Sequence, residues 1–166
     1  MNSKNKGNAF ERKISNIFSE RFKEYTGIES SFRRNIDSGS FFGGKNQTRV
    51  LTHNLEKASF GDIICPTNFN YNIECKFYKT GPKFSNLLKQ EYKEWDDWIK
   101  QASQDSDHAN KMMCVIVKYN NTDEIVILET LPQELDSPIK YKKYFIIQLK
   151  KFLSLPDSHF FNNPHK

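Results

Sequence analysis

The chain has 166 residues, of which 37% are hydrophobic and 14% aromatic. This apolar content argues against a disordered chain and is enough to form the core of one domain over residues 1–166, with mobile ends at 1–7 and 162–166. The formal charge of +5 favours an anionic partner such as a phosphate backbone, although many basic proteins bind no polyanion.

The cysteines and the hydropathy pattern indicate where in the cell the protein is expected. Cys65, Cys75 and Cys114 lie in apolar runs without zinc-finger spacing, which predicts buried free thiols. No apolar signal region and no apolar stretch long enough to cross a bilayer are found. We therefore expect a cytoplasmic protein, in a prokaryotic or phage-infected cell, without membrane contact.

The first elements are a helix and a short strand. Apolar side chains recur at helical spacing over residues 9–25, with Asn8 as the predicted N-cap and Gly27 as the stop. Residues 28–36 form a candidate first strand. A polar stretch without periodicity then predicts a long loop over residues 41–59.

The middle of the chain alternates strands with a helix. Strands are predicted over residues 60–65 and 70–78, and the turn-forming sequence between them suggests a hairpin. A helical stripe follows over residues 84–102, in which Trp95 is expected in the core and Trp98 is left open to a dimer interface. Further strands are predicted over residues 111–119, 124–131 and 144–149.

The candidate catalytic residues lie in residues 60–77, with Asp62 on one predicted strand and Glu74-Cys75-Lys76 on the next. Because side chains alternate along a strand, Glu74 and Lys76 share one face while Cys75 belongs to the apolar face. If the hairpin pairs as predicted, Asp62 lies near Glu74 and Lys76.

Phosphodiester hydrolysis requires a set of groups of this kind. Asp62, Glu74 and the backbone carbonyl of Cys75 could bind a hard divalent cation, and Lys76 could orient water or stabilise the transition state. The alternative is an amphipathic strand on which Glu74 and Lys76 are merely solvated.

Gly61-Asp62 followed by Glu74-Cys75-Lys76 resembles the signature of the PD-(D/E)XK nucleases, with glycine where the name has proline. The order of predicted elements over residues 6–119 is also similar to that superfamily. The resemblance implies an α/β, restriction-endonuclease-like core of helix, three-stranded meander, helix and strand, here with appended C-terminal strands. It also implies catalysis with Mg²⁺, for which Mn²⁺ can substitute.

Within the superfamily, the chain most resembles archaeal and phage Holliday junction resolvases. Those enzymes open with a lysine-glycine and a helix bearing a catalytic glutamate, and Lys6-Gly7 followed by Glu11 is similar. They also carry an arginine and a serine-glycine loop, which Arg33-Arg34 and the loop containing Ser40 resemble. The resemblance implies a homodimer that cuts four-way DNA junctions in recombination or repair. The expected DNA contacts are Lys6, Arg33, Arg34, Lys45 and Arg49.

Several alternatives remain open from the residues alone. Glu11 is a candidate catalytic residue and metal ligand, but it also fits a capping box with Asn8. Ser40 is a candidate catalytic residue, or simply a turn former. Residues 39–45 approach a P-loop, but Asn46 replaces the hydroxyl residue that would bind magnesium, which argues against NTP hydrolysis. A restriction-like or repair endonuclease, or a non-catalytic DNA-binding module, would share the same core.

Overall fold

The computed structural model describes residues 3–35 and 60–162. The predicted loop over residues 41–59 lies outside the described residues. The helices are α1 (Ser3–Arg21), α2 (Lys23–Thr26), α3 (Phe84–Lys89), α4 (Lys93–Ala109), α5 (Leu149–Leu153) and α6 (Asp157–Phe160). The strands are β1 (Arg33–Arg34), β2 (Ile63–Ile64), β3 (Tyr71–Tyr78), β4 (Met112–Tyr119), β5 (Ile125–Leu128), β6 (Ile139–Tyr141) and β7 (Tyr144–Gln148).

The main sheet has five strands in the order β3-β4-β5-β7-β6. β3 and β4 are parallel, so the chain crosses between them through α3 and α4, whereas the other pairs are antiparallel. β1 and β2 form a separate antiparallel pair. The α/β, restriction-endonuclease-like fold class expected from the sequence is confirmed.

Apolar side chains cover both faces of this sheet. On one face, Ile73 and Ile116 pack in a cluster with Phe10, Phe18 and Phe152 of the first and fifth helices. On the other face, Val115 and Val117 of β4 pack against α4. The α4 residues of this second cluster are Trp95, Trp98, Ile99 and Ala102. The sheet is therefore a central layer, and the free cysteines Cys65, Cys75 and Cys114 are buried as predicted.

The first helix begins earlier than the apolar periodicity indicated. α1 starts at Ser3, so Asn8 lies inside the helix and the N-cap prediction is wrong. Residues 3–7, which were expected in a mobile lead-in, are helical as well. Polar residues at a helix start leave no periodic signal, and the cost of about 1 kcal/mol for glycine at Gly7 does not prevent the helix. The predicted stop is confirmed, because Gly27 ends α2 with a φ of 64°.

The predicted hairpin between residues 60–65 and 70–78 is wrong in its pairing. β2 forms its ladder with β1, in which Arg34 lies opposite Ile63. Its link to β3 is a backbone hydrogen bond from Asp62 N–H to the Ile73 carbonyl, 2.8 Å long. The strand predicted over residues 28–36 is also shorter than expected, since β1 contains only two residues.

The second half of the chain departs from the prediction in its helices. The helix predicted over residues 84–102 is divided into α3 and α4 at Gln90, whose φ is 56°. Trp98, which was left open to an interface, is 6% exposed and belongs to the core beside Trp95. β6, α5 and α6 were not predicted. In the described part of the chain, no helix is long and apolar enough to span a membrane.

Gly61 allows the chain to approach β3 closely enough to place Asp62. Its φ is +79°, and a Cβ at this position would lie 2.6 Å from the Ile73 carbonyl oxygen. Any other residue at this position would therefore have a strained backbone conformation, and its Cβ would clash with the backbone of β3.

Replacing Gly61 with alanine should cost more stability than the same change at Gly27. Gly27 has a similar φ of +64° but open space at its Cβ, so Gly27→Ala should cost only backbone strain, roughly 1–2 kcal/mol. Gly61→Ala adds a backbone clash and should cost at least about 1 kcal/mol more. Urea denaturation of both variants measures the difference, and equal losses would contradict the close approach.

Candidate active site

Asp62 is held against the outer edge of β3 by its backbone and its side chain together. Its N–H donates to the Ile73 carbonyl, and its Oδ2 accepts the Cys75 N–H at 2.8 Å. Its carbonyl accepts the Asn35 N–H at 2.8 Å, while the Asn35 side chain donates to the Gly61 carbonyl at 3.0 Å. The N–H and Oδ2 are thus the two groups through which Asp62 bonds to the edge of β3.

Glu74 and Lys76 project together from the face of β3 that α4 covers. Lys76 Nζ lies 2.6 Å from Glu74 Oε1, and their side chains are 18% and 4% exposed. The alternation predicted from the sequence is correct, but the face is not open to water. Glu74 is a buried carboxylate rather than one end of a solvated pair.

The electrostatics place Asp62, Glu74 and Lys76 in one cluster. Burial, followed by the charge of Asp62, raises the pKa of Glu74 to about 7, against the opposing effect of Lys76. Burial lowers the pKa of Lys76, but the charges of Glu74 and Asp62 outweigh it, and the pKa lies above its ordinary value. The net result is a buried carboxylate whose charge Lys76 only partly compensates.

Asp105 of α4 is a third acid near this cluster that sequence reasoning missed. Burial raises its pKa, with a further contribution from Asp62 and opposition from His108 and Lys76. Asp105 in turn contributes to the raised pKa of Glu74. The signal that could have found Asp105 is its position three residues after Ala102, beside the apolar stripe of the helix.

Asn72 also lies on the face that carries Glu74, two residues before it. It is 3% exposed, and its amide nitrogen has no hydrogen-bond partner among the described residues. Its Oδ1 would lie only 2.8 Å from a Cβ built on Gly61, so the Asn72 side chain packs against that glycine. Asn72 thereby fills the space beside Asp62 with a polar group.

Glu11 reaches the same region from α1. Its carboxylate forms an ion pair with Arg34, whose Nη2 also donates to Asn8 Oδ1 at 2.7 Å. Glu11 is one of the charges that raise the pKa of Cys75, after burial, Asp62 and Glu74. The structure therefore brings Glu11 into electrostatic range of the cluster, with its carboxylate engaged by an arginine.

The remaining predicted site residues fall into two groups. Lys6 Nζ lies 5.8 Å from the ring centre of Phe77 on β3, and Arg33 donates to the Ser30 carbonyl at 3.2 Å on the exposed surface. Ser40, Lys45 and Arg49 lie outside the described residues.

The donor set fits a hard divalent cation. Asp62 and Glu74 supply carboxylate oxygens, and a magnesium site needs only one or two of these together with water and substrate oxygens. Two mutually repelling acids also gain from a cation between them. Within residues 3–35 and 60–162, no group of three or more His, Cys, Asp or Glu side chains is arranged to hold a metal ion. Water and phosphate oxygens would have to complete the coordination.

The comparison with known families agrees with this arrangement. A family model described as "Phage putative PDDEXK endonuclease" matches residues 2–162. The chain belongs to this family. No curated protein and no solved structure matches the chain. Membership in the PDDEXK family makes the protein a nuclease by descent. The family is named after the sequence motif that Asp62 and Glu74-Cys75-Lys76 resemble.

Glu74→Gln should change how the stability of the metal-free nuclease depends on pH. Because the pKa of Glu74 rises from 4.5 to about 7 on folding, the contribution of the neutral acid is complete below pH 4.5 and is lost as the pH rises through 7. Wild type should therefore lose on the order of 3 kcal/mol relative to Glu74→Gln between pH 4.5 and 8. Denaturation in EDTA at both pH values measures this loss.

Glu20→Gln provides the matched control, because Glu20 is exposed on α1. It should show little change relative to wild type across the same pH range. A stability difference between wild type and Glu74→Gln that stays constant with pH would contradict the buried-carboxylate assignment.

Proposed function

We propose that this protein is a divalent-metal-dependent endonuclease that hydrolyses DNA phosphodiesters, with four-way junctions as its preferred substrate. Mg²⁺ is the proposed cofactor, and Mn²⁺ should substitute for it. The observation that carries the proposal is the cluster of Asp62, Glu74 and Lys76 at the edge of β3, in a chain that belongs to a PDDEXK family.

Asp62 and Glu74 would hold the cation, with the Cys75 carbonyl as a further oxygen donor. When bound, a divalent cation supplies positive charge to the phosphate and lowers the pKa of a water. Asp62 is prepared for this task because two hydrogen bonds to β3 fix its position. Glu74 would hold the cation through its carboxylate, next to the Lys76 ammonium group that contacts its Oε1.

Lys76 would then interact with the attacking water or with the phosphate. Its raised pKa keeps the side chain protonated near neutral pH, so it acts by donating hydrogen bonds and by its charge. The side chain is 18% exposed, so part of it is accessible to solvent.

We propose Glu11 as the fourth catalytic member. Two observations support this proposal: Glu11 forms an ion pair with Arg34, and its charge contributes to the raised pKa of Cys75. Ligation by Glu11 would release Arg34 to bind a phosphate, and Lys6 and Arg33 would contact the backbone nearby. Ser40, Lys45 and Arg49 remain proposed contacts on the basis of the resemblance.

A branched substrate and a homodimer are proposed for one shared reason. The resolvases that the chain resembles pair two sites, and paired sites can cut strands related by the symmetry of a junction. Cleavage of linear duplex at a sequence or a lesion would instead indicate a restriction-like or repair role.

The decisive measurement compares a labelled four-way junction with matched linear duplex, in Mg²⁺ or EDTA, for wild type and Glu74→Ala. Paired symmetric nicks in the junction alone are expected, with a requirement for both metal and Glu74. Cutting of linear duplex would overturn the junction preference while keeping the nuclease, and absence of cutting on both substrates would overturn the proposed function.

Asp62→Asn should separate catalysis from folding. The amide oxygen can still accept the Cys75 N–H, so the melting temperature should change little. Loss of the charge should weaken the binding of the cation that stabilises the transition state, and should slow cleavage by roughly a hundredfold or more. Single-turnover cleavage and thermal melting give the two readouts.

Asp97→Asn is the control, since Asp97 is exposed on α4. It should cut DNA at the wild-type rate. Cleavage by Asp62→Asn within a few-fold of wild type would refute the site assignment.

A further inference from the structure

The short helix α3 holds two large apolar side chains in solvent. Phe84 is 74% exposed and Leu88 is 69% exposed, and a spacing of four residues makes them neighbours on the helix surface. Leu87, by contrast, packs against the cluster that joins α4 to the sheet. Single exposed apolar residues are common on proteins, but an adjacent pair forms a patch that gains from a partner. Phe84 and Leu88 are called the α3 patch below.

The α3 patch is presented by a well-anchored segment of the chain. A Cβ on Gly81 would lie 2.9 Å from the Tyr119 ring, so the loop before α3 packs closely on β4. The Asn86 side chain accepts the Lys83 N–H at 2.9 Å and donates to the Glu91 carbonyl at 3.1 Å. These contacts tie both ends of the helix and fix the position of its exposed side chains.

The chain around the α3 patch is positively charged. Residues 77–90 contain Lys79, Lys83 and Lys89 and no Asp or Glu. All three lysines are exposed, and within the described ranges none of them forms an ion pair with a carboxylate. Two copies of the chain that met through this patch would bring like charges together, whereas a polyanion would compensate them. The charges therefore favour nucleic acid over a second copy as the partner.

The α3 patch lies on the same side of the sheet as the candidate active site. α3 packs in the layer of α4, which covers the face of β3 that carries Glu74 and Lys76. Tyr78 continues this row of side chains and is 46% exposed. The backbone from Lys76 to Phe84 spans at most roughly 28 Å, which corresponds to about eight base pairs of DNA. One DNA molecule can therefore reach both places.

Apolar side chains recognise the bases of DNA, while lysines recognise its phosphates. An exposed aromatic ring can stack on a base, and Phe or Leu can wedge into a base step. Both contacts are least costly where stacking is already interrupted, because opening a regular duplex requires unstacking energy. A branch point offers such bases, whereas a continuous duplex does not.

We propose that the α3 patch binds unstacked bases at a branch point of DNA. Phe84 stacks on a base, Leu88 packs beside it, and Lys79, Lys83 and Lys89 bind the flanking phosphates. The inference rests on the proposed nuclease function for its substrate, and it adds the contact that separates branched from linear DNA. The lysines bind any DNA, since phosphates carry no information about branching, and Phe84 binds only where bases are exposed.

The first test measures DNA binding in EDTA, where metal-dependent cleavage does not occur. Fluorescence anisotropy gives Kd of the full-length protein for a labelled four-way junction and for linear duplex. Phe84→Ala should weaken junction binding about tenfold, the effect of one lost stacking contact, and change duplex binding less than about twofold. Ile28→Ala, which truncates another exposed apolar side chain just after α2, should change neither. Equal junction affinity of wild type and Phe84→Ala would overturn the proposal.

Phe84→Trp separates stacking from a general effect of substitution. This variant keeps an aromatic ring and should retain the junction affinity that Phe84→Ala loses. Both variants change an exposed side chain and should melt at the wild-type temperature. A 2-aminopurine base at the branch point should change its fluorescence with wild type and Phe84→Trp. An equal change on saturation with Phe84→Ala would overturn the stacking contact.

The lysines are tested by the salt dependence of binding. Replacing Lys83 and Lys89 together with glutamine should weaken binding to junction and duplex alike. It should also reduce the slope of log Kd against log salt concentration by roughly 2, about one for each lost phosphate contact. The same change at Lys150 and Lys151, which are exposed on α5, should leave the slope as in wild type. An unchanged slope for the α3 variant would overturn the phosphate contacts.

Sedimentation velocity of the DNA-free protein tests a second copy as the occupant. A dimer that Phe84→Ala dissociates, together with unchanged junction affinity, would assign the patch to a protein interface and overturn the proposal. Cleavage assays in Mg²⁺ then distinguish this inference from the nuclease function. Junction binding that depends on Phe84 without any cutting would overturn the nuclease function alone. Cutting of junctions with equal affinity of wild type and Phe84→Ala would overturn this inference alone.

Discussion

The site depends on the way Asp62 binds the outer edge of β3. Its N–H and its carboxylate bond to the backbone of Ile73 and Cys75, so one residue provides two consecutive contacts where a full strand would provide a ladder. This arrangement covers an exposed strand edge and still brings a carboxylate next to Glu74. Gly61 is required because backbone occupies the space where its Cβ would lie.

The second constraint is the burial of Glu74 under α4. A buried carboxylate next to another acid is unfavourable by itself, and the ion pair with Lys76 offsets only part of that cost. Such a site is tolerated where function gains from it, since a divalent cation can replace the missing positive charge. The raised pKa of Glu74 follows from this burial, and the charge of Asp105 on α4 raises it further.

α4 links the core of the protein to the acidic cluster. Trp95, Trp98 and Ala102 anchor the helix on the sheet. Asp105 follows Ala102 by three residues, and its charge contributes to the raised pKa of Glu74. An aromatic anchor suits this arrangement, because it fixes the helix that covers Glu74.

The sequence by itself determined the strand and helix faces of the core and the pair Glu74 and Lys76, because alternation and helical periodicity are local properties of the chain. It also indicated Asp62 through its position before the next strand. Only the tertiary structure decided that Glu74 is buried, that Glu11 binds Arg34, and that Asp105 joins the cluster. Those contacts join residues distant in sequence, and burial depends on which element packs above a face, which no local pattern encodes.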